Sequence, residues 1–142
     1  MLDRGQLTAL FGRIWNMHAL RLDQVFREAG LGITADQYRL MHLLWTRNGA
    51  HQEFYARKLG RDRSSLTRML QGLEQQQLLI RSDDPADKRA RLVLLTEAGK
   101  ALEAQVEPLA NEVLLQMWDG LASEEREQLN DILSRLRYNL MG

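Results

Sequence analysis

Cysteine is absent from this 142-residue chain, which excludes a disulfide framework, a thiolate metal site and a catalytic or redox-sensing thiol. No apolar run approaches the length of a membrane span, and the N-terminus lacks a signal-peptide pattern. A soluble, cytoplasmic protein without membrane contact is therefore expected. His18, His42 and His51 fall on three separate segments with no compact carboxylate cluster at ligand spacing, so no metal is expected. His-Glu-x-x-His, a phosphate-binding glycine loop, a nucleophile elbow and a triad pattern are all missing. The chain reads as a non-enzyme without a cofactor. Net charge is also lacking: 19 basic residues balance 19 acidic ones.

That balance hides a partition. Residues 57–95 carry nine basic and five acidic groups, whereas residues 96–142 carry four basic and nine acidic. The positive field is concentrated on the middle of the chain, as a polyanion-binding unit requires, although charge blocks also arise as plain solvated faces.

The same middle stretch has a readable architecture. Gln52 to Leu59 is a short helical run stopped by Gly60, a residue that enters positive φ without a Cβ clash. Asp62 then offers an N-cap for a second helix, Arg63 to Glu74, in which Leu66, Met69, Leu70 and Leu73 form one apolar stripe. Two helices joined by a short glycine turn form a helix-turn-helix, whose second helix enters the major groove of DNA. Arg63, Ser64, Thr67, Arg68 and Gln71 face away from the stripe. Ser64, Ser65 and Arg68 are the first candidates for DNA contact, with Thr67 and Gln71 next. Arg68 suits a bidentate pair with a guanine edge, and the serines at the helix N-terminus suit phosphate. Ser65 has an equally open alternative, turning back onto the helix cap.

A β-hairpin follows, with strands expected over Leu78–Arg81 and Arg91–Leu95 and a loop over Ser82–Ala90. Asp84-Pro85 starts the turn, because proline presets the φ of its second position. Lys88 and Arg89 are expected at the loop tip with Arg91 just beyond. Arg89 is the first choice for insertion into a narrow minor groove, with Lys88 and Arg91 on phosphate. Asp87 is expected to orient Arg89 through a charge-assisted hydrogen bond.

Taken in order, Leu59-Gly60, Ser64–Arg68, Leu73-Glu74, Asp84-Pro85, Asp87–Arg89 and Leu94–Gly99 resemble the MarR (multiple antibiotic resistance regulator) family, and within it the SlyA-like branch. The likeness covers nearly the full chain. Gln77 departs from the pattern, since the family usually has glycine before the wing strand. The resemblance implies a homodimeric transcriptional regulator, more in the manner of a repressor than an activator, binding double-stranded DNA at an inverted repeat. It also implies release by a small aromatic carboxylate or phenolic effector held between the dimer helices and the winged unit. Arg13-Ile14-Trp15 is similar to a SlyA-like motif, and Tyr38, His42 and Trp45 share a face at i, i+4, i+7. Arg13, Trp15, Tyr38, His42 and Trp45 are the candidate effector residues, with ordinary core packing as their alternative.

The flanking segments are helical. Leu7–Ala29 carries a broad apolar stripe closed by Gly30, and Thr34 with Gln37 reads as a capping box for a helix reaching about Trp45. Thr96 caps a helix containing Pro108, which is expected to kink it, and Ser123 is expected to cap the last. The expected fold is mainly α with a small β-wing, a single domain over 1–142. A winged helix-turn-helix spans 34–96, and the terminal helices of 1–31 and 97–142 form a homodimerisation region, since one winged unit cannot cover two apolar flanks. A winged-helix protein-interaction module without DNA binding and a monomeric helical bundle are the competing readings.

Overall fold

The computed structural model describes residues 1–142. Its elements are α1 (Arg4–Glu28), α2 (Ala35–Thr46), α3 (Gln52–Leu59), α4 (Arg63–Gln75), the strands β1 (Leu79–Asp84) and β2 (Asp87–Leu95), then α5 (Glu97–Met117) and α6 (Ser123–Leu140). The helices start where the side chains supply acceptors for free N–H groups. Thr34 accepts from Gln37 N while the Gln37 side chain accepts from Thr34 N, and Thr96 accepts from Gly99 N. Each such cap contributes about 1 kcal/mol. α6 differs from expectation. Its N-cap is Ala122, whose N–H donates to the Glu125 carboxylate at 2.8 Å, while Ser123 is the first helical residue. α5 runs continuously through Pro108.

The core is one cluster drawn from the C-terminal half of α1 (Leu22, Phe26), α2 (Leu40, Met41, Leu44), Tyr55 of α3, α4 (Leu66, Leu70, Leu73), the hairpin (Leu79, Val93) and α5 (Val106, Ala110, Val113). Helical periodicity delivers each of these to one face, and the hairpin closes over them. β1 and β2 pair antiparallel from Leu79↔Leu95 to Asp83↔Arg91. The outer edge of β2 is not free: Gly49 N donates to Val93 O and Val93 N to Ala50 O, so the α2–α3 connection acts as a third strand.

Two surfaces stay outside this core. The N-terminal half of α1 exposes Leu7, Leu10, Phe11 and Ile14, and α6 buries no residue at all, exposing Ile132, Leu133, Leu136 and Leu140. Large apolar side chains thus line two exposed helical faces, a pattern that marks an interaction surface.

The hairpin joins the helices through a strained turn. Gln77 is the only non-glycine residue at positive φ (61°), and its carbonyl accepts from Thr96 Oγ1 at 2.7 Å. An L side chain in this region costs roughly 1–2 kcal/mol, which glycine avoids at some entropic expense. Gln77→Gly is therefore expected to stabilise the protein by about 0.5–1 kcal/mol in urea unfolding. Gly99→Ala is expected to cost about 1–3 kcal/mol, because an added Cβ would lie 2.0 Å from the Leu78 carbonyl oxygen.

Candidate nucleic-acid interface

Gly60 ends α3 in the left-handed conformation (φ 63°), and the N–H groups of Gly60 and Arg61 return to the carbonyls of Arg57 and Ala56. Asp62 then accepts from Ser65 N at 2.7 Å and starts α4. With Leu66, Leu70 and Leu73 buried beneath, Arg63, Ser64, Arg68 and Gln71 are left exposed. Two of the predicted residues behave differently. Thr67 is half-buried and its hydroxyl donates to Arg63 O at 2.8 Å, so it does not face freely outward. Ser65 is half-buried, and its hydroxyl accepts from Arg61 at 3.3 Å, turning toward the interhelical turn.

The hairpin is longer and its turn tighter than the polar sequence suggested. Ser82–Ala90 is not a nine-residue loop. Both strands continue to a turn at Pro85-Ala86, where Asp84 Oδ1 accepts from Ala86 N at 2.9 Å. Lys88 and Arg89 are consequently not at the tip. The register jumps from Asp83↔Arg91 to Asp84↔Asp87, leaving Lys88, Arg89 and Ala90 without partners on β1. An irregularity of this kind re-aims side chains out of the ladder. Lys88 and Arg89 are both exposed. Asp87 does not pair with the Arg89 guanidinium; it accepts from Arg89 backbone N at 3.0 Å and so shapes the bulge.

α3, the start of α4 and the hairpin enclose an open groove of about 700 Å³. It brings together the predicted Arg63, Thr67, Asp87, Arg89 and Arg91 with four basic groups that sequence reasoning missed: His51, Arg57, Arg61 and Arg81. Arg57 and Arg61 flank Gly60, and that placement beside the turn was the available signal. Arg81 gave none, being engaged with Glu74 at 2.6 Å. Ser64, Ser65, Arg68, Gln71 and Lys88 lie outside the groove lining. Arg61 is also tied to α2 through Asp36 at 2.9 Å, and Asp36 lies 3.6 Å from Arg39. The Arg39 guanidinium covers the Trp15 ring at 3.5 Å and meets His18 Nδ1 at 3.1 Å. A continuous polar chain thus runs from α1 to the turn ahead of α4.

The five candidate effector residues do not form one constellation. Tyr38, His42 and Trp45 group together, but around a carboxylate: Glu107 of α5 accepts from Tyr38 Oη at 3.2 Å and lies 2.7 Å from His42 Nδ1. Burial, then Glu107, pushes the Tyr38 phenol well above its ordinary value. Trp45 Nε1 donates to Gly99 O at 2.9 Å. Trp15 instead belongs with Arg39 and His18, and Arg13 is exposed, with no hydrogen bond or ion pair.

The fold and this groove define a class: a winged helix-turn-helix unit carried between two long terminal helical regions. Residues 33–90 match the model of the MarR family. The same fold extends over nearly the whole chain in solved structures. AbfR of Staphylococcus epidermidis is 26% identical, with a TM-score of 0.81 over 96% of this chain and 92% of that one. MepR of S. aureus, solved in complex with DNA, is 24% identical with a TM-score of 0.84, covering 99% of this chain and all of that one. A MarR transcriptional regulator from Methanosarcina mazei Go1 is 21% identical at a TM-score of 0.82, covering 96% of both chains. The chain is thus similar to MarR-family proteins over residues 33–90 and shares their fold along nearly its whole length.

Burial, and then the Arg39 guanidinium, pushes the His18 imidazole below its ordinary 6.5. The unfolded chain then binds a proton that the folded chain resists, so stability is complete above that ordinary value. It is lost as pH falls from there toward the lowered folded value. Urea midpoints are expected to drop between about pH 7 and about pH 5, with a smaller drop in His18→Leu.

Proposed function

We propose that this chain is a homodimeric, sequence-specific regulator of transcription that binds a pseudo-palindromic duplex, acting as a repressor. The observation that carries the reading is the placement of unpaired cations on two adjoining elements: Arg63 of α4 and Arg89 of the β2 bulge line one groove, with Arg68 and Lys88 exposed on the same elements. α4 supplies base contacts through Arg68, and Ser64 and Arg63 meet phosphate. Gln71 and Thr67 are secondary, and Ser65 acts through Arg61. Arg89 enters the minor groove while Lys88 and Arg91 hold the backbone. Residues 34–96 form the DNA-binding unit, and 1–31 with 97–142 form the dimerisation region, where the exposed faces of α1 and α6 meet those of a second copy. Assignment to the SlyA-like branch rests on the ordered set from Leu59-Gly60 to Leu94–Gly99, with Arg13-Ile14-Trp15 as a further likeness.

An effector near Tyr38, His42 and Trp45 is a small phenol or aromatic carboxylate. Glu107 bears on which. A phenol can donate to that carboxylate, whereas an anionic ring must displace it from His42. Ligand release requires an effector that favours a dimer geometry whose helix spacing misfits DNA.

Selection of bound duplexes from a random pool tests the main reading against an interaction module without DNA binding. An inverted repeat is expected. Arg68→Ala should relax preference at one position in each half-site by about 10- to 100-fold, the equivalent of roughly 1–3 kcal/mol. Arg89→Ala should weaken all sequences alike and lower the salt slope by about one. Recovery of no motif from a folded dimer sinks the proposal. For the dimer, Leu133→Glu with Leu136→Glu is expected to give a monomer in sedimentation and to abolish half-site cooperation. A chain that is monomeric without these changes contradicts that part of the assignment.

A further inference from the structure

We infer that His51 and Asp84 are positioning residues for the wing, forming a proton-sensitive latch that holds the outer hairpin, and with it Arg89, against the DNA-binding face. The inference rests on the DNA-binding reading above and deepens it. His51 Nε2 lies 2.7 Å from Asp84 Oδ2. His51 is the N-cap residue of α3, yet its side chain caps nothing, so the ring is available to the hairpin. Asp84 meanwhile uses its other oxygen to accept from Ala86 N and hold the turn.

The hairpin's inner half is anchored several times over. Arg81 reaches Glu74, Asn48 Oδ1 accepts from Leu95 N, and residues 49–50 pair with Val93. Across residues 82–91 the remaining polar contacts, such as Arg91 to Asp83 and to the Arg81 carbonyl, stay within the hairpin. The His51–Asp84 contact is the one hydrogen bond or ion pair that ties this outer half to the helical body. A two-stranded ribbon is marginal by itself, so a single tether near its turn sets its pitch. The bulge carrying Lys88 and Arg89 follows directly on that tethered turn.

Histidine is the side chain whose charge ordinarily changes between about pH 5 and about pH 8. The His51 hydrogen bond, then the Ala86 N–H, holds the Asp84 carboxyl below its ordinary 3.8. Asp84 is therefore ionised throughout that range, and its part of the contact is lost only as pH falls through the lowered value. With the imidazole protonated the contact is an ion pair; with it neutral, the contact is an N–H donor on a carboxylate. The other charged groups on the groove that His51 lines are Glu53 and Arg57 of α3, Arg61 of the turn, Arg63 of α4, Arg81 of β1, and Asp87, Arg89 and Arg91 of β2. The arginines oppose protonation and the acids favour it, and only Asp84 contacts the ring directly.

The test is affinity for the selected duplex at about pH 6 and about pH 8 at one fixed ionic strength, for the full-length dimer, His51→Gln, Asp84→Asn and the double variant. The unaltered protein is expected to bind about three-fold tighter at the lower pH, the scale of a half-exposed ion pair. Either single variant should flatten the ratio, and the double variant should add nothing. A pH dependence retained in Asp84→Asn overturns the latch, because His51 would then act as a bare cation on phosphate; one retained in His51→Gln overturns it equally. Amide exchange at Ala86–Arg89 provides a readout without DNA. Faster exchange in Asp84→Asn at the lower pH, converging with the unaltered protein at the higher, supports the latch even if no duplex binds and the regulator reading falls. Equal exchange at both pH values refutes it.

Discussion

Thr96 N–H and the Leu78 carbonyl meet at 3.1 Å, and around that bond the winged unit is welded to the terminal helices. Thr96 Oγ1 holds the Gln77 carbonyl, Gly99 lets the first turn of α5 approach the Leu78 backbone where a Cβ would not fit, and the Gly99 carbonyl accepts from Trp45 of α2. The end of α4, the root of the wing, the start of α5 and the end of α2 therefore share one small junction. A rotation of α5 cannot leave the wing root unmoved, because the backbones are in contact with no side chain between them. The positive φ of Gln77 is the strain that this arrangement stores, held by the Thr96 hydrogen bond.

The second constraint is area. The core described above uses the C-terminal half of α1 and the middle of α5, leaving the rest of α1 and all of α6 with apolar residues facing outward. Charge follows the same division. The excess of acid over base lies in residues 96–142 and the excess of base in residues 57–95. Such a layout suits a terminal region that meets its like through apolar faces while the basic unit faces a polyanion.

Much of this was legible because it is local. Thr34 with Gln37, Asp62, Gly60 and Thr96 act within one helical turn of where they stand, and the helices begin and end accordingly. The hairpin was misjudged because its outer half is polar. Ser82–Ala90 has loop composition, and what makes it strand is pairing across the turn, which no single segment encodes. Ser123 was misread as a cap for a related reason: the Glu125 carboxylate can satisfy the N–H of Ala122 without any help from the N-cap side chain. The partners of the site were the least visible part. Glu107 is 65 residues from His42 and Asp84 is 33 from His51, so only the folded chain puts those acids beside those rings.

The arginines divide into those already engaged and those that are not, and the division separates positioning from binding. Arg81 is committed to Glu74, Arg61 to Asp36, and Arg39 to the Trp15 face. Arg57, Arg63, Arg68, Lys88 and Arg89 have no acidic partner in the chain. An engaged guanidinium has part of its charge neutralised and its geometry set, so it gains less from a phosphate and would give up an existing contact to take one. An unengaged, exposed one releases counterions from the duplex at no such cost. The unengaged set lies on α4, the end of α3 and the wing bulge, whereas the engaged set links those elements to α1, α2 and one another. Arg61, at the turn before α4, is held by Asp36 of α2 yet lines the groove, as Arg81 does while held by Glu74, so these two stand on the border between the sets.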